Sequence, residues 1–506
     1  MIDGVLERQM KKMVDARIPL VEVVSPSEDV VEDTLRALVN AGAGPAKEYF
    51  AWTMTDGIRA GQGFVDRTED IREALTWALR HPRPAVFFFK DLHHYLRGDP
   101  WVLRRLKDLA TTFPSQGKYL FLRAIQVDLP DELRQQLVVV EHALPARPEL
   151  EQLFDYMMKS RKVPAGAPPP PTPHPALRQA FVTAGLGLTL TEAHRAFRRA
   201  LAGGQSLEGA LIAEVMEEKR QVVNKTGILE FIPPASTVID VGGMDNLKGW
   251  LEKRRHVLTD EARKQGVTPP KGVLIMGISG CGKSHFVKSI ANFWRVPLLR
   301  LDMAQVYAGI GGSPETAIRT AIRTAEGMAP CVLWIDEIEA GISVGGQKAE
   351  GGPASRVLGF FLTWMQEKSS PVFVGATANA IDLLPAEVLR KGRFDEIFYV
   401  SLPTKAEREE VFKVHLLKRG VNPKDLNLGF LATSTRGFSG SEIEQVVASG
   451  LVDAMAEGQK LNENHLAGAI SRTVPLSITM AEQIKKIEAW AQRRAVPASK
   501  REDGQD

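Results

Sequence analysis

The segment Gly277-Ile278-Ser279-Gly280-Cys281-Gly282-Lys283-Ser284 fits the spacing G-x-x-x-x-G-K-[ST]. In that pattern glycines let backbone N–H groups and the positive end of a following helix face a run of phosphates. Lys283 would supply a mobile positive charge for the β- and γ-phosphates, and the Ser284 hydroxyl would face Mg²⁺. Gly277, Ser279, Gly280, Cys281, Gly282 and His285 are expected to share the nucleotide contact. A glycine-rich turn with a chance lysine is the blander reading. The apolar run Val273–Met276 before the loop and the helical run His285–Phe293 after it argue against that, because strand, loop and helix come in the order the chemistry needs.

Two further strand ends carry chemistry. Cys331-Val332-Leu333-Trp334-Ile335 runs into Asp336 and Glu337. Strand C-termini of a doubly wound sheet open onto the ligand crevice, so Asp336 would hold Mg²⁺ through its water shell and Glu337 would polarise an attacking water. Val372–Asn379 ends in a lone amide that could reach the γ-phosphate or that water; a turn-forming asparagine is the alternative. ATP and Mg²⁺ are the expected ligands.

These residues must be positioned by a sheet, and β-branched or aromatic runs alternate with amphipathic stretches throughout the chain, the pattern of an α/β fold with parallel strands. The first half offers Pro19–Val24, Glu48–Trp52, Ala85–Phe89, Tyr119–Arg123 and Leu137–Val140; the second offers Gly272–Met276, Leu298–Leu301, Cys331–Ile335, Val372–Ala376 and Ile397–Val400. Local wording repeats in the same order. Leu144-Pro145 with Glu149 and Phe154 mirrors Leu402-Pro403 with Glu407 and Phe412, Pro130–Leu133 mirrors Pro385–Val388, and Gly187–Glu192 mirrors Gly437–Glu442. One large module has been duplicated on this reading. Breaks fall at the proline-rich Ala165–Pro175, at Pro233-Pro234 and at Pro475. They divide the chain into an ATPase-like domain (1–160), a linker with a helical lid remnant (161–235), a large α/β subdomain (236–402), a helical lid (403–475) and a C-terminal helix with a polar tail (476–506).

The 506 residues carry a net charge of +3, so no whole-protein field draws the chain to nucleic acid or an anionic membrane. Cys281 and Cys331 are too few for a disulfide framework, and no apolar run is long enough to span a bilayer, which points to a cytoplasmic protein.

These motifs together resemble the AAA ATPases. Asp240, Val241 and Gly242 look like that family's loop around the adenine, Leu389–Asp395 looks like its second region of homology with both arginines present, and Gly440 and Ser441 look like the start of its lid helix against the ribose. The wording of Ala329–Glu339, Leu362–Lys368 and Leu389–Phe398 is most similar to the chloroplast and cyanobacterial AAA family first recorded as a hypothetical plastid reading frame, which also has bacterial relatives. The resemblance implies tandem nucleotide-binding modules of this type and a homo-oligomeric, hexameric ring. It also implies that Arg390 and Arg393 face a neighbouring subunit's γ-phosphate, where a guanidinium would neutralise charge developing during phosphoryl transfer. Two departures stand out. Ile310 occupies the position where threading rings place an aromatic grip, with Tyr307 three residues earlier, and Gly341–Gly352 is a glycine-rich second loop.

The first half should not hydrolyse ATP. Its counterpart of the phosphate loop, Ser25-Pro26-Ser27-Glu28-Asp29, has no lysine or glycine and brings two carboxylates, and its third strand ends in Lys90-Asp91-Leu92, with leucine expected in the place of the water-activating glutamate. His93 and His94 read as ordinary loop histidines whose side chains diverge, without a third metal ligand. Arg97, Arg104, Arg105 and Lys107 with Trp101 form a basic face, most simply a solvated one. Three functional readings follow: a ring-forming ATPase remodelling a protein partner chosen by the first half, a nucleotide-controlled scaffold or sensor with slow turnover, and a DNA-linked motor resting on the basic face and on Lys485, Lys486, Arg493 and Arg494.

Overall fold

The fold was derived from a computed structural model. The structure describes residues 4–40, 47–61, 63–96, 98–124, 129–159, 175–202, 207–233, 243–255, 257, 262, 265–309, 313–339, 353–390 and 392–499. The chain divides into two compact units, Met1–Ala202 and Gly203–Asp506.

In the first unit the strands are β1 (Leu20–Val24), β2 (Glu48–Thr53), β3 (Gly57–Ala60), β4 (Gly63–Phe64), β5 (Ala85–Phe89), β6 (Tyr119–Ala124) and β7 (Val138–Glu141). They form one sheet in the order β4-β3-β2-β5-β6-β1-β7, parallel from β2 through β7, with β3 and β4 added antiparallel. The run Val86-Phe87-Phe88-Phe89 is wholly buried because helices cover both faces. Phe87 and Phe89 pack with Leu75, Leu106 and Phe113 on one side, while Val86 and Phe88 pack with Leu6, Met10 and Val31 on the other. Three helices follow, Arg147–Lys159, Pro175–Gly185 and Leu190–Ala202, and their contact is built on Phe154, Phe181 and Phe197.

The second unit contributes β8 (Leu229–Ile232), β9 (Gly272–Gly277), β10 (Leu298–Leu301), β11 (Cys331–Ile335), β12 (Val372–Ala378), β13 (Glu396–Val400) and β14 (Val496–Pro497), in the order β14-β13-β9-β12-β11-β10-β8. All pairs are parallel except β8 with β10. A lid of helices Lys405–Lys418, Leu428–Ser434, Gly440–Ala456 and Glu463–Ser471 closes around its own core of Phe412, Leu431, Val446 and Leu466.

The two sheets share one winding. Taken in chain order, the five parallel strands lie 2-3-4-1-5 from one edge in both units: β2-β5-β6-β1-β7 and β10-β11-β12-β9-β13. The lids agree as well. Gly187 and Gly437 have φ of +88° and +82°. Each precedes a reciprocal helix cap, in which Thr189 and Glu192 exchange backbone-to-side-chain bonds as Ser439 and Glu442 do. Residues 207–232, grouped by sequence with the linker and lid remnant, instead pack with the second unit, where β8 becomes the sheet edge. Near the C-terminal end of the described residues β14 pairs with β13, and Ala498 N–H donates to the Tyr399 carbonyl at 2.8 Å.

Candidate active site

β9 delivers the phosphate loop to the carboxyl edge of the second sheet. Gly277 must be glycine there, because at φ +155° a Cβ would stand 2.2 Å from the Val400 carbonyl oxygen. Gly280, at φ +79°, is held against the lid: a Cβ would meet Ser441 Oγ at 2.1 Å, and Ser441 N–H donates to the Gly280 carbonyl at 3.0 Å. The lid helix Gly440–Ala456 therefore begins against the phosphate loop itself.

Lys283 opens helix Lys283–Trp294 and is buried, its ammonium donating to the carbonyls of Gly277 at 3.0 Å and Ile278 at 2.8 Å. Burial lowers its pKa, against the opposing pull of Glu339, Asp336 and Glu337. The Ser284 hydroxyl donates to Asp336 Oδ1 at 2.8 Å. Thr377 Oγ1 donates to the same oxygen at 2.6 Å and accepts from the Glu337 N–H at 3.0 Å. Asn379 Nδ2 donates to Glu337 Oε1 at 2.8 Å, while Glu339 Oε1 accepts from the N–H groups of Asn379 at 2.6 Å and Ala380 at 3.2 Å. Glu337 sits in the left-handed region at φ +48°, a conformation uncommon for a side chain this size and one that turns its carboxylate toward the amide. The hydroxyl of Ser284 and the carboxylate of Asp336 are hard oxygen donors on converging elements, and they fit Mg²⁺, which takes few protein ligands and keeps several waters.

Around this edge lies a cleft of about 360 Å³. Ser279, Gly280, Cys281, Gly282, Lys283, Ser284, His285, Asp336, Glu337, Asn379, Gly440 and Ser441 all line it, so these sequence-assigned residues come together. Gly277 supplies its carbonyl to Lys283 just behind the wall. Burial pushes the Cys281 thiol up to about 12, which keeps it protonated. Asp240, Val241 and Gly242 lie outside the described residues, as do Ile310 and Gly341–Gly352. Arg390 and Arg393 do not line the cleft; Arg393 donates to the Glu387 carbonyl.

Several wall residues were not anticipated. Thr377 lines the cleft and, with the buried Glu339 outside its lining, braces the two strand ends. Met244, buried with φ +58°, and His415 add to the wall. Ser499 also enters the cleft, donating to Glu407 Oε1 at 2.5 Å and accepting from Met244 N–H at 3.3 Å. The strict pairing of Glu407 with Thr404 in a helix cap was the one available signal that this region is built tightly.

The first unit reads differently at the equivalent edge. Phe89 pairs with Leu122 and Val24 with Ala124, as Ile335 pairs with Ala376 and Met276 with Ala378, so the strands superpose in register. Lys90 then stands where Asp336 stands, Asp91 where Glu337 stands and Arg123 where Thr377 stands. The sequence alignment of Asp91 with the metal aspartate is corrected by one residue; Asp91, at φ +55°, shares the left-handed turn of Glu337. Lys90 Nζ pairs with Glu28 at 2.8 Å and Glu32 at 2.7 Å, so one carboxylate of the phosphate-loop counterpart and one a turn further along the next helix are neutralised from within. The basic face is also internally engaged: Arg104 pairs with Asp108 at 2.8 Å, and Arg105 lies 4.7 Å over the Trp101 ring.

Comparison with known proteins agrees with this geometry. Residues 273–402 match the ATPase family associated with various cellular activities (AAA). Residues 6–142 match the SpoVK-like AAA ATPase N-terminal domain, and 148–226 the SpoVK-like AAA ATPase second domain. The chain is 32% identical over 490 residues to the uncharacterized AAA domain-containing protein ycf46 of Pyropia yezoensis, covering 96% of this chain and 97% of that one. It is 33% identical over 483 residues to the ycf46 protein of Trieres chinensis, with 95% of each chain covered. The chain belongs to the ycf46 family of AAA ATPases. In this AAA protein, no helix among the described residues is long and apolar enough to cross a membrane. The match to residues 148–226 runs through the boundary between the two AAA-like units, consistent with helix Leu207–Asn224 packing beyond it.

Proposed function

We propose that this protein is a Mg²⁺-dependent ATPase of the cytoplasm that assembles into a hexameric ring and remodels a protein partner selected by its first unit. The observation that carries the enzymatic part is the 2.8 Å bond between Asn379 and Glu337, which leaves one carboxylate oxygen for a water and places an amide beside it. Lys283 would exchange the loop carbonyls for phosphate oxygens. Mg²⁺ held by Ser284 and Asp336 would supply charge neutralisation across the β- and γ-phosphates. Glu337 would orient and polarise the attacking water, Asn379 would fix its position, and Thr377 would hold the Asp336 carboxylate and the Glu337 backbone in place. The Met244 side and the lid would enclose the base, with Asp240, Val241 and Gly242 completing that wall.

Arg390 and Arg393 lie away from their own cleft, which supports a role toward a neighbour's γ-phosphate. Glu337→Gln should keep ATP binding and lose turnover by about 10²–10⁴-fold. Arg393→Ala should also bind ATP without turning it over, and wild-type turnover per chain should rise with protein concentration; full turnover by a dilute monomer overturns the ring assignment. Partners trapped by Glu337→Gln in ATP and identified by mass spectrometry would name the client.

The charge reversal at Lys90 favours a second reading, a nucleotide-controlled scaffold or sensor with slow turnover, because half of the chain has lost phosphate chemistry. Replacing Ile310 and Tyr307 by alanine separates the two: lost client processing with intact assembly supports remodelling, and no effect supports the scaffold.

A further inference from the structure

The end of β5 carries a second cluster that the ATPase chemistry does not use. The chain leaves the sheet at Lys90, turns sharply at Asp91 and enters a single 3₁₀ turn, Leu92–Tyr95. Leu92 is fully buried and pins this turn into the core. His93 and His94 do not diverge as adjacent histidines were expected to do: their ring centroids are 4.1 Å apart at an interplanar angle of 37°. One nitrogen of each ring and one Asp91 carboxylate oxygen all lie within 4.8 Å of one another. His93 Nδ1 is buried and has no hydrogen-bond partner among the described residues.

We propose that Asp91, His93 and His94 form a binding site for a borderline divalent transition metal, zinc above all. Two imidazole nitrogens and one carboxylate oxygen are a donor set such ions prefer, and Mg²⁺ does not. In a tetrahedral zinc site with bonds of about 2.0–2.1 Å the donors stand roughly 3.3 Å apart. Asp91 and His94 are exposed, so small side-chain rotations close the remaining gap around the fixed, half-buried His93. The ion would bind the His93 ring nitrogen that faces Asp91 and His94. Arg123 lies 4.0 Å from Asp91 Oδ1, but its guanidinium is committed to the carbonyls of Ser25 at 3.0 Å and Pro26 at 3.3 Å. The loaded site is net positive, zinc outweighing Asp91, and Arg123 adds to that charge, which favours water, hydroxide or a partner's carboxylate in the open fourth position. The metal would sit at the register counterpart of Glu337, so the first unit has converted a lost catalytic position into an ion site.

The test uses the untagged full chain, stripped with a chelator and then titrated with Zn²⁺ against a chromophoric competitor in excess Mg²⁺. One zinc per chain is expected, undisplaced by Mg²⁺, with affinity reduced about tenfold or more in His94→Ala and Asp91→Asn and unchanged in Asp336→Asn. Cobalt in place of zinc should give a visible absorption band that His94→Ala removes. Absence of stoichiometric zinc in the wild type, or equal affinity in wild type and His94→Ala, overturns the site. His94 is exposed, so its variant decides the matter even if His93→Ala fails to fold.

Discussion

Lys90 occupies in the first sheet the register position that Asp336 occupies in the second, and its ammonium is spent on Glu28 and Glu32 at 2.8 and 2.7 Å. Where the second unit has a carboxylate, the first has a cation already committed to two carboxylates, one at the start of the helix that follows β1 and one a turn further along it. One nucleotide per chain is therefore expected at saturation. Isothermal titration of ATP or ADP into the full chain should give a stoichiometry of one, and Lys283→Ala should remove all of it. A surviving site in Lys283→Ala would mean that the first unit binds nucleotide after all.

Thr377 touches both Asp336 and Glu337 through one hydroxyl. Thr377→Val keeps the branched shape in the strand but leaves the Glu337 N–H and Asp336 without that partner, a loss of about 1–3 kcal/mol for a buried polar group. Steady-state kinetics should show kcat reduced by about tenfold or more and a higher Mg²⁺ concentration at half-maximal rate, with the fold retained by circular dichroism. Unchanged Mg²⁺ dependence would remove Thr377 from the metal's support.

Ser499 joins the lid's first helix to the loop at Met244. Ser499→Ala removes two hydrogen bonds at the cleft wall, and at about 1 kcal/mol net apiece the expected weakening of ADP is roughly five- to thirtyfold. Fluorescent-ADP anisotropy reads this directly. Affinity equal to wild type would show that the Ser499 hydroxyl does not support the nucleotide wall, the segment being held by β14 and by Asn246.

His285 has its pKa held below the usual histidine value, first by burial and then by Lys418, Lys288 and His415. The unfolded chain takes up a proton near the ordinary value of about 6.5, whereas the folded chain resists until the pH is lower. Stability from this residue is thus complete above that pH and declines as the pH falls from it toward the depressed native pKa. Urea unfolding at pH 7.5 and 5.5 should show the loss, and His285→Gln should reduce the difference. An identical difference in the variant would exclude His285 as its source.

Much of this architecture is legible in the residues because parallel strands covered on both faces read as unbroken apolar runs, as in Val86–Phe89 and Cys331–Ile335. The phosphate loop and the Asp336-Glu337 pair are equally plain, since their chemistry demands fixed spacing. Less visible were elements whose partners lie far away in sequence. Leu229–Ile232 is too short to announce itself, and Val496-Pro497 contains a proline, tolerated only because β14 is an edge strand. Asp56-Gly57 was a readable hairpin signal between β2 and β3. Thr377 looks like any β-branched residue in a strand, and only Asp336 and the Glu337 N–H on the neighbouring strand end give its hydroxyl a task. The one-residue shift at Asp91 arose because matching aspartate to aspartate is a textual rule, whereas pairing register is a spatial one.

The chain leaves the second sheet at β13, builds the whole lid, and comes back through helix Ala481–Arg494 to lie beside β13 again as β14. Topologically the lid is an insertion held at two neighbouring points. A body attached by one tether can swivel about many axes, but one attached at both ends turns about the line joining its anchors. A rotation of this lid on its two attachments would accordingly be that of a door on two hinges, with an axis set by the sheet.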